Sequence, residues 1–386
     1  MRDVPLFDLT RQYEVIREDV LEAIDEAIKS GKLILGPKVN AFEQKMAEIS
    51  GVRYGVGVAN GSDALYIALK ALGIEEGDYV ITTPFTFFAT ASCITRNGAT
   101  PIFADIDPET FNLDLDQVEE ILKTHKKSDR IKAILPVHIF GQTMDLERLA
   151  TLREAYGVEI VEDCAQSVGS LWKMKNGKST QSGSLGKAST FSFFPTKNLG
   201  GYGDGGMIVS DDKETAEHCA FLRKHGARKK YFHDEIGINS RLDELQAAVL
   251  LVKFKYLEEY ITERIRVAYR YDELFREKGL AEFLDYPSPV DDRTHVYHQY
   301  VIRVKKGSRD GLRAFLKDRG VGSSIYYPKP LHLQPCFDYL GYEKGELPVA
   351  EKACDEVLAL PVFPELRDEE VEVVVERLVE YFKSNR

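Results

Sequence analysis

Cysteine is sparse in this sequence, basic residues are outnumbered by acidic ones, and long apolar runs are missing. The five cysteines, Cys93, Cys164, Cys219, Cys336 and Cys354, are scattered and odd in number. That spacing suits neither a disulfide framework nor a metal site, so it predicts no metal and a reducing, cytoplasmic setting. Lysine and arginine total 51 against 62 aspartates and glutamates, a formal charge of −11. A nucleic-acid binder needs a basic face, which argues against that class. No apolar run is long enough to cross a membrane, and the N-terminal Met1-Arg-Asp-Val-Pro-Leu-Phe-Asp8 lacks a signal-peptide core. No membrane partner is therefore expected.

What is present is material for a large core: 386 residues, 44% of them hydrophobic, enough for two domains. Apolar residues at helical spacing predict a helix from Tyr13 to Ile28 and a second from Val39 to Ile49. Short strands at Gly55–Ala59, Tyr79–Thr82, Pro101–Asp105, Ala133–Val137, Val158–Asp163 and Met207–Ser210 alternate with helical stretches. This alternation predicts a parallel sheet covered on both sides, with ligands outside the carboxyl ends of its strands. A long helix is expected to open near Asn239 and continue toward Leu274. Composition shifts at Pro287-Ser-Pro289, where a smaller domain begins its own sheet with strands at Val296–Val304 and Gly322–Tyr326. His295 and His298 alternate to opposite faces of that first strand, which argues against zinc.

The most informative stretch is Ser192-Phe-Phe-Pro-Thr-Lys197, followed by a glycine-rich loop to Gly206. An apolar strand ends there and delivers one lysine beside bare backbone, although a surface turn would also carry a lysine. An ordinary lysine titrates near pH ~10.4, so only about four in ten thousand are neutral and nucleophilic at pH 7. Burial removes much of that handicap and permits an imine with an aldehyde, of which pyridoxal 5'-phosphate (PLP) is the commonest in biology. PLP demands three further features, and each has a candidate. Gly61 and Ser62 open a helix after a strand, a ready anion site, although Ser62 or Asp63 also reads as an ordinary N-cap. Phe87 offers a ring face, although an aromatic in an apolar segment is more often plain core. Asp163 ends an apolar strand, where it would meet a cation on a ligand or cap the next turn. The basic run from Arg223 to Tyr231 is either a solvated face or a recruiter of anionic substrate. Gly177-Lys178-Ser179 lacks the leading glycine of a phosphate loop, since Trp172 holds that place.

Gly61-Ser-Asp, Pro84-Phe-Thr-Phe-Phe-Ala-Thr, Glu162-Asp-Cys-Ala-Gln-Ser, Ser192-Phe-Phe-Pro-Thr-Lys and Asn239-Ser-Arg-Leu-Asp-Glu-Leu-Gln-Ala-Ala together resemble the DegT/DnrJ/StrS sugar aminotransferases. The likeness runs from Pro5 almost to the C-terminus. It implies the α/β fold-type I PLP aminotransferase architecture: a large domain with a mostly parallel sheet between helices, plus a smaller C-terminal α/β domain. We place the large domain at 1–255 and the connecting helix with the small domain at 256–386. The resemblance also implies a homodimer with sites at the subunit interface.

By motif position the resemblance implies that Lys197 binds PLP as an imine and shuttles a proton, while Asp163 holds the pyridine nitrogen protonated. Gln166 would touch the ring hydroxyl, Phe87 stack on the ring, and Gly61, Ser62 and Ser192 bind the phosphate. Asn239 would reach that phosphate from the partner subunit. Relatives with histidine in place of this lysine are dehydratases, a branch that Lys197 argues against. The implied reaction moves an amino group from L-glutamate to a nucleotide-linked keto sugar, with closest likeness to enzymes acting at C3 of a UDP-linked 3-oxo-uronate for polysaccharide synthesis. Arg228, Tyr326, Tyr327 and His332 are the candidate substrate contacts. Such relatives often carry His-Tyr where this chain has Tyr326-Tyr327. The alternatives are a dTDP-linked 3- or 4-keto deoxysugar and a PLP-binding regulator without turnover.

Overall fold

Seven short apolar runs assemble into the central sheet of the computed structural model, which describes residues 3–229, 231–287, 292–306 and 308–384. Lys230 of the basic run and Ser288-Pro289 of the expected domain junction lie outside the described residues. The strands are β1 (Tyr54–Val58), β2 (Tyr79–Thr82), β3 (Thr100–Phe103), β4 (Ile131–Leu135), β5 (Glu159–Asp163), β6 (Ala188–Ser192) and β7 (Gly206–Ser210). Their order across the sheet is β1-β7-β6-β5-β4-β2-β3. Neighbours from β6 to β3 pair in parallel, whereas β7 is antiparallel to both β1 and β6. Val80, Ile134, Leu135, Ile160 and Val161 are fully enclosed because helices cover both faces. The sheet is thus mostly parallel, as the alternation of elements predicted.

Two helices precede the sheet, α1 (Leu9–Ser30) and α2 (Pro37–Ile49). The first stops at Gly31, whose φ of 66° is a left-handed cap that glycine adopts without strain. Crossovers α3 (Gly61–Ala71), α4 (Ala89–Arg96), α5 (Leu115–Thr124) and α6 (Leu146–Tyr156) link the strands, and α7 (Lys213–Leu222) follows β7. The expected continuous helix is in fact two, α8 (Glu244–Phe254) and α9 (Leu257–Glu277). Ala247 and Leu250 of α8 pack into the core beside β6 and β7, whereas Val267, Tyr271 and Phe275 of α9 pack into a second core. Apolar spacing runs unbroken through the join, so periodicity could not reveal the change of partner.

The second core is built on an antiparallel sheet of β8 (Leu284–Asp285), β9 (Tyr300–Val304) and β10 (Val357–Leu360). Helices α10 (Arg309–Asp318), α11 (Pro348–Glu356) and α12 (Asp368–Ser384) complete this region. The strand expected at Val296–Val304 begins only at Tyr300, because Val296 N–H donates instead to the carbonyl of Gly141. Residues 322–326 form no strand; Val321 and Ser324 make isolated pairings with Val4 and Ala359. We propose the division at 255/256, amended by Val4, which is buried in the second core. Among the described residues no helix is long and apolar enough to cross a membrane.

One long-range contact ties these elements together. Glu244, fully buried, accepts hydrogen bonds from the N–H groups of Lys38 at 2.6 Å and Val39 at 3.1 Å. It therefore caps α2, whose own N-cap, Gly36, has no side chain for the task. A Cβ at residue 36 would lie 2.7 Å from the Glu244 carboxyl carbon, so glycine is needed there. Glu244→Ala is expected to cost about 3 kcal/mol in chemical denaturation, by stranding two amides that now bond to an anion. Glu244→Gln, which keeps one acceptor, should cost less.

Candidate active site

The carboxyl ends of β2, β4, β5 and β6 face a cavity of about 640 Å³, with Asp163, Ser192 and Lys197 on its wall. This is where a doubly wound sheet leaves room for a ligand. Lys197 lies in the loop after β6, its backbone N–H bonded to the Phe194 carbonyl at 2.9 Å. Enclosure lowers its ammonium pKa to about 8, against the pull of the Asp163 carboxylate, which raises it. A large share of Lys197 is thus neutral in mildly basic solution.

Asp163 is the last residue of β5 and is 5% exposed. Its carboxylate accepts from Thr90 Oγ1 at 3.0 Å and from the Ala165 N–H at 3.1 Å. Burial raises its pKa, and those two hydrogen bonds oppose the rise without cancelling it. Its neighbour Glu162 is treated very differently. That carboxylate takes N–H groups from Gly183, Leu185 and Gly186, the Ser189 hydroxyl and His138 Nε2, the last at 2.8 Å. His138 Nδ1 accepts from the Met144 N–H, so Nε2 carries the hydrogen it gives to Glu162. Glu162 is a satisfied structural anion. Asp163, among the described residues, has no cation within ion-pair distance and still needs one.

The N-terminus of α3 forms another part of the wall. Asn60, rather than Ser62 or Asp63, is the cap, its Oδ1 accepting from the Asp63 N–H at 2.8 Å. Gly61 allows Ser192 to approach closely: a Cβ there would sit 2.7 Å from that of Ser192. Ser62, Phe87, Gln166, Tyr326 and Tyr327 also line the cavity. Phe87, among them, is 59% exposed. Gln166 accepts from the Phe140 N–H at 2.6 Å and donates to the Tyr327 hydroxyl at 3.1 Å.

Three expected site residues lie elsewhere within this chain. Arg228 projects from a hairpin, its side chain 81% exposed and 3.6 Å from Asp234. Asn239 is exposed and pairs through its backbone with Lys224. His332 is a correction: it is buried beside Phe103 and Tyr342, with Nε2 3.2 Å from Glu351 Oε1, and does not line the cavity. Sequence reasoning missed Thr90, which bonds Asp163, along with His298 and Gln299 on the cavity wall. Thr90 follows Thr86 by four residues, a weak signal, and their hydroxyls are 3.1 Å apart. His298 stood in a segment misread as strand.

The residues present fit PLP. Among the described residues a buried carboxylate has no ion-pair partner, a helix N-terminus stands against two serines, an aromatic ring is exposed, and a lysine is close to neutral. His138, Glu162 and Cys164 place ligand atoms within 4.8 Å of one another, but the hydrogen bonds above already occupy the first two.

Residues 14–379 match the DegT/DnrJ/EryC1/StrS aminotransferase family, and the chain belongs to it. A Geobacillus stearothermophilus protein named pleiotropic regulatory protein is 48% identical over 99% of both chains. The UDP-N-acetyl-3-dehydro-alpha-D-glucosamine 3-aminotransferase of Acidithiobacillus ferrooxidans is 40% identical over 95% of each chain. The dTDP-3-amino-3,6-dideoxy-alpha-D-galactopyranose transaminase of Aneurinibacillus thermoaerophilus is 39% identical over 98% of this chain and 99% of its own. Among solved structures, S. venezuelae DesV in complex with a ketimine intermediate superposes with a TM-score of 0.91, at 35% identity and 99% coverage of both chains.

The electrostatics give a direct test. In cofactor-free protein, acylation of Lys197 followed by peptide mapping should rise with pH through a midpoint near 8. Asp163→Asn removes a charge that favours the ammonium form, so the midpoint should move lower. A midpoint near that of an ordinary lysine would reject the enclosed geometry.

Proposed function

We propose that the chain is a PLP-dependent transaminase carrying an amino group from L-glutamate to C3 of a nucleotide-linked 3-oxo sugar. The observation that supports this best is the pairing in one cavity of Lys197, close to neutral, with buried Asp163, which has no ion-pair partner among the described residues. When bound, PLP supplies an electron sink for the pair left at an amino-bearing carbon that loses a proton.

The residues then have separate tasks. Neutral Lys197 Nζ takes the proton from the donor's α-carbon and later returns it as a general acid. Asp163 keeps a proton on the pyridine nitrogen, and the cation so formed answers the burial cost of the carboxylate. Ser62, Ser192 and the α3 N–H groups that Gly61 leaves accessible bind the phosphate dianion. Phe87 covers the ring, and Gln166, oriented by Phe140 and Tyr327, hydrogen-bonds the ring hydroxyl. Tyr326 and Tyr327 face the sugar. In a homodimer, a second copy brings Asn239 to the phosphate and Arg228 to the substrate.

Both transaminases described above carry position 3 in their names, one with UDP and the other with dTDP, which favours C3 over C4. For the sugar we take a UDP-linked 3-oxo-uronate in polysaccharide synthesis first, since Arg228 is an exposed guanidinium suited to a carboxylate. A dTDP-linked keto deoxysugar is the second reading. The regulatory name of the 48% relative favours a third, PLP binding without turnover, against which stand the charge of −11 and the complete set of reacting groups.

The test is to load the chain with PLP, add L-glutamate and offer a panel of UDP- and dTDP-linked 3- and 4-keto sugars, with and without a carboxylate. Mass spectrometry should find the amine on a 3-oxo sugar. Amination of small 2-oxo acids alone would reject the sugar reading, and PLP binding with no amination at all would favour the regulator. Lys197→Ala and Asp163→Ala should each lower turnover by at least about 100-fold, and wild-type rates would reject their roles. Arg228→Ala should raise KM for a uronate and leave a neutral sugar unaffected.

A further inference from the structure

A second cavity of about 40 Å³ adjoins the first and shares Thr196, His298, Gln299 and Tyr326 with it. Its wall includes Arg264 of α9, a guanidinium only 6% exposed. Arg264 Nη1 donates to the carbonyls of Tyr297 at 3.2 Å, His298 at 3.4 Å and Val362 at 2.9 Å, while Nε is buried with no partner. Among the described residues no carboxylate forms an ion pair with it, and Glu365 acts only through its field. Burial lowers its pKa to about 10, so the cation persists at neutral pH.

Two other polar atoms on this wall lack partners. His298, 8% exposed, has a buried Nδ1 with none, and Gln299 has a buried Oε1 with none. Burial first, then the nearby Lys197 and Arg264 cations, keep the His298 imidazole neutral. Polar groups left this way cost about 1–3 kcal/mol each, a deficit that a ligand would relieve.

The size of the cavity narrows the choice of ligand. It exceeds the roughly 10–15 Å³ that one water requires and suits a carboxylate, but it is too tight for a pyranose ring. Of the two substrates, only the amino donor bears a carboxylate on the very carbon at which Lys197 works. A uronate carries its carboxylate remote from C3.

We infer that Arg264, with His298 and Gln299, forms the subsite for the amino donor's α-carboxylate. The sugar half-reaction uses the same Lys197 but leaves this subsite unused. The inference rests on the transaminase reading above.

Binding to the PLP-loaded protein separates the two. α-Methylglutamate has no α-proton to lose, so its affinity can be measured by calorimetry at equilibrium. Arg264→Gln should weaken it about 100-fold, the effect of losing a charged hydrogen-bonding partner, and Arg264→Lys should recover part of the loss. The nucleoside diphosphate of the sugar identified by the panel has no amine to react and should bind within about threefold of wild type. Because Arg264 also ties three carbonyls, His298→Asn serves where Arg264→Gln does not fold, with about tenfold weaker binding of the amino acid expected. If both ligands weaken alike, or neither weakens, the subsite is wrong and the transaminase reading stands. If the wild-type chain binds neither ligand and aminates nothing, that reading fails and takes the subsite with it.

Discussion

A carboxylate buried at the end of β5, with no cation in ion-pair distance among the described residues, is the constraint around which the site is arranged. Asp163 receives two hydrogen bonds, too few to settle an enclosed anion, and its pKa rises accordingly. Lys197 is also enclosed and shifts in the opposite sense, toward neutrality. Each is easier to ionise with the other nearby, yet neither is satisfied by the protein alone. A ligand that places a cation near Asp163 and an electrophile near Lys197 resolves both.

The contrast with Glu162 shows that this deficit is local. Adjacent strand residues point to opposite faces, so β5 sends one carboxylate toward the loop at residues 183–186 and the other toward the cavity. On the first side, backbone amides and His138 complete the shell. On the second side the open space is left for a ligand. The same economy of partners recurs at Arg264, which among the described residues is held by carbonyl dipoles and by no carboxylate. The two deficits lie at the meeting of the two cores, where His298 and Gln299 from the segment before β9 reach the wall of the sheet's cavity and Arg264 of α9 lines the small cavity beside it.

Much of this was legible from residue patterns. Apolar runs separated by helical spacing predicted the parallel sheet, and a lysine after a strand beside glycines marked the cavity. The errors share one cause. Residues 296–299 alternate like a strand but bond to Gly141, α8 and α9 keep one periodicity while packing on different cores, and Val357–Leu360 pairs with a strand more than fifty residues away in sequence. His332 has the hydrogen-bonding capacity of a substrate contact, but burial beside Phe103 and Glu351 takes it out of reach.

By itself, the sequence determined which groups are available: a lysine, a carboxylate ending a buried strand, serines at a helix start, and their placement on elements of known type. These follow from local propensity and from the side-chain periods of helix and strand, which act over a few residues. Only the tertiary structure decided which of those groups are left without partners. Desolvation and hydrogen bonding depend on atoms brought together from distant parts of the chain, such as Thr90 beside Asp163, Ser192 against Gly61, and Arg264 beside the carbonyls of Tyr297 and Val362.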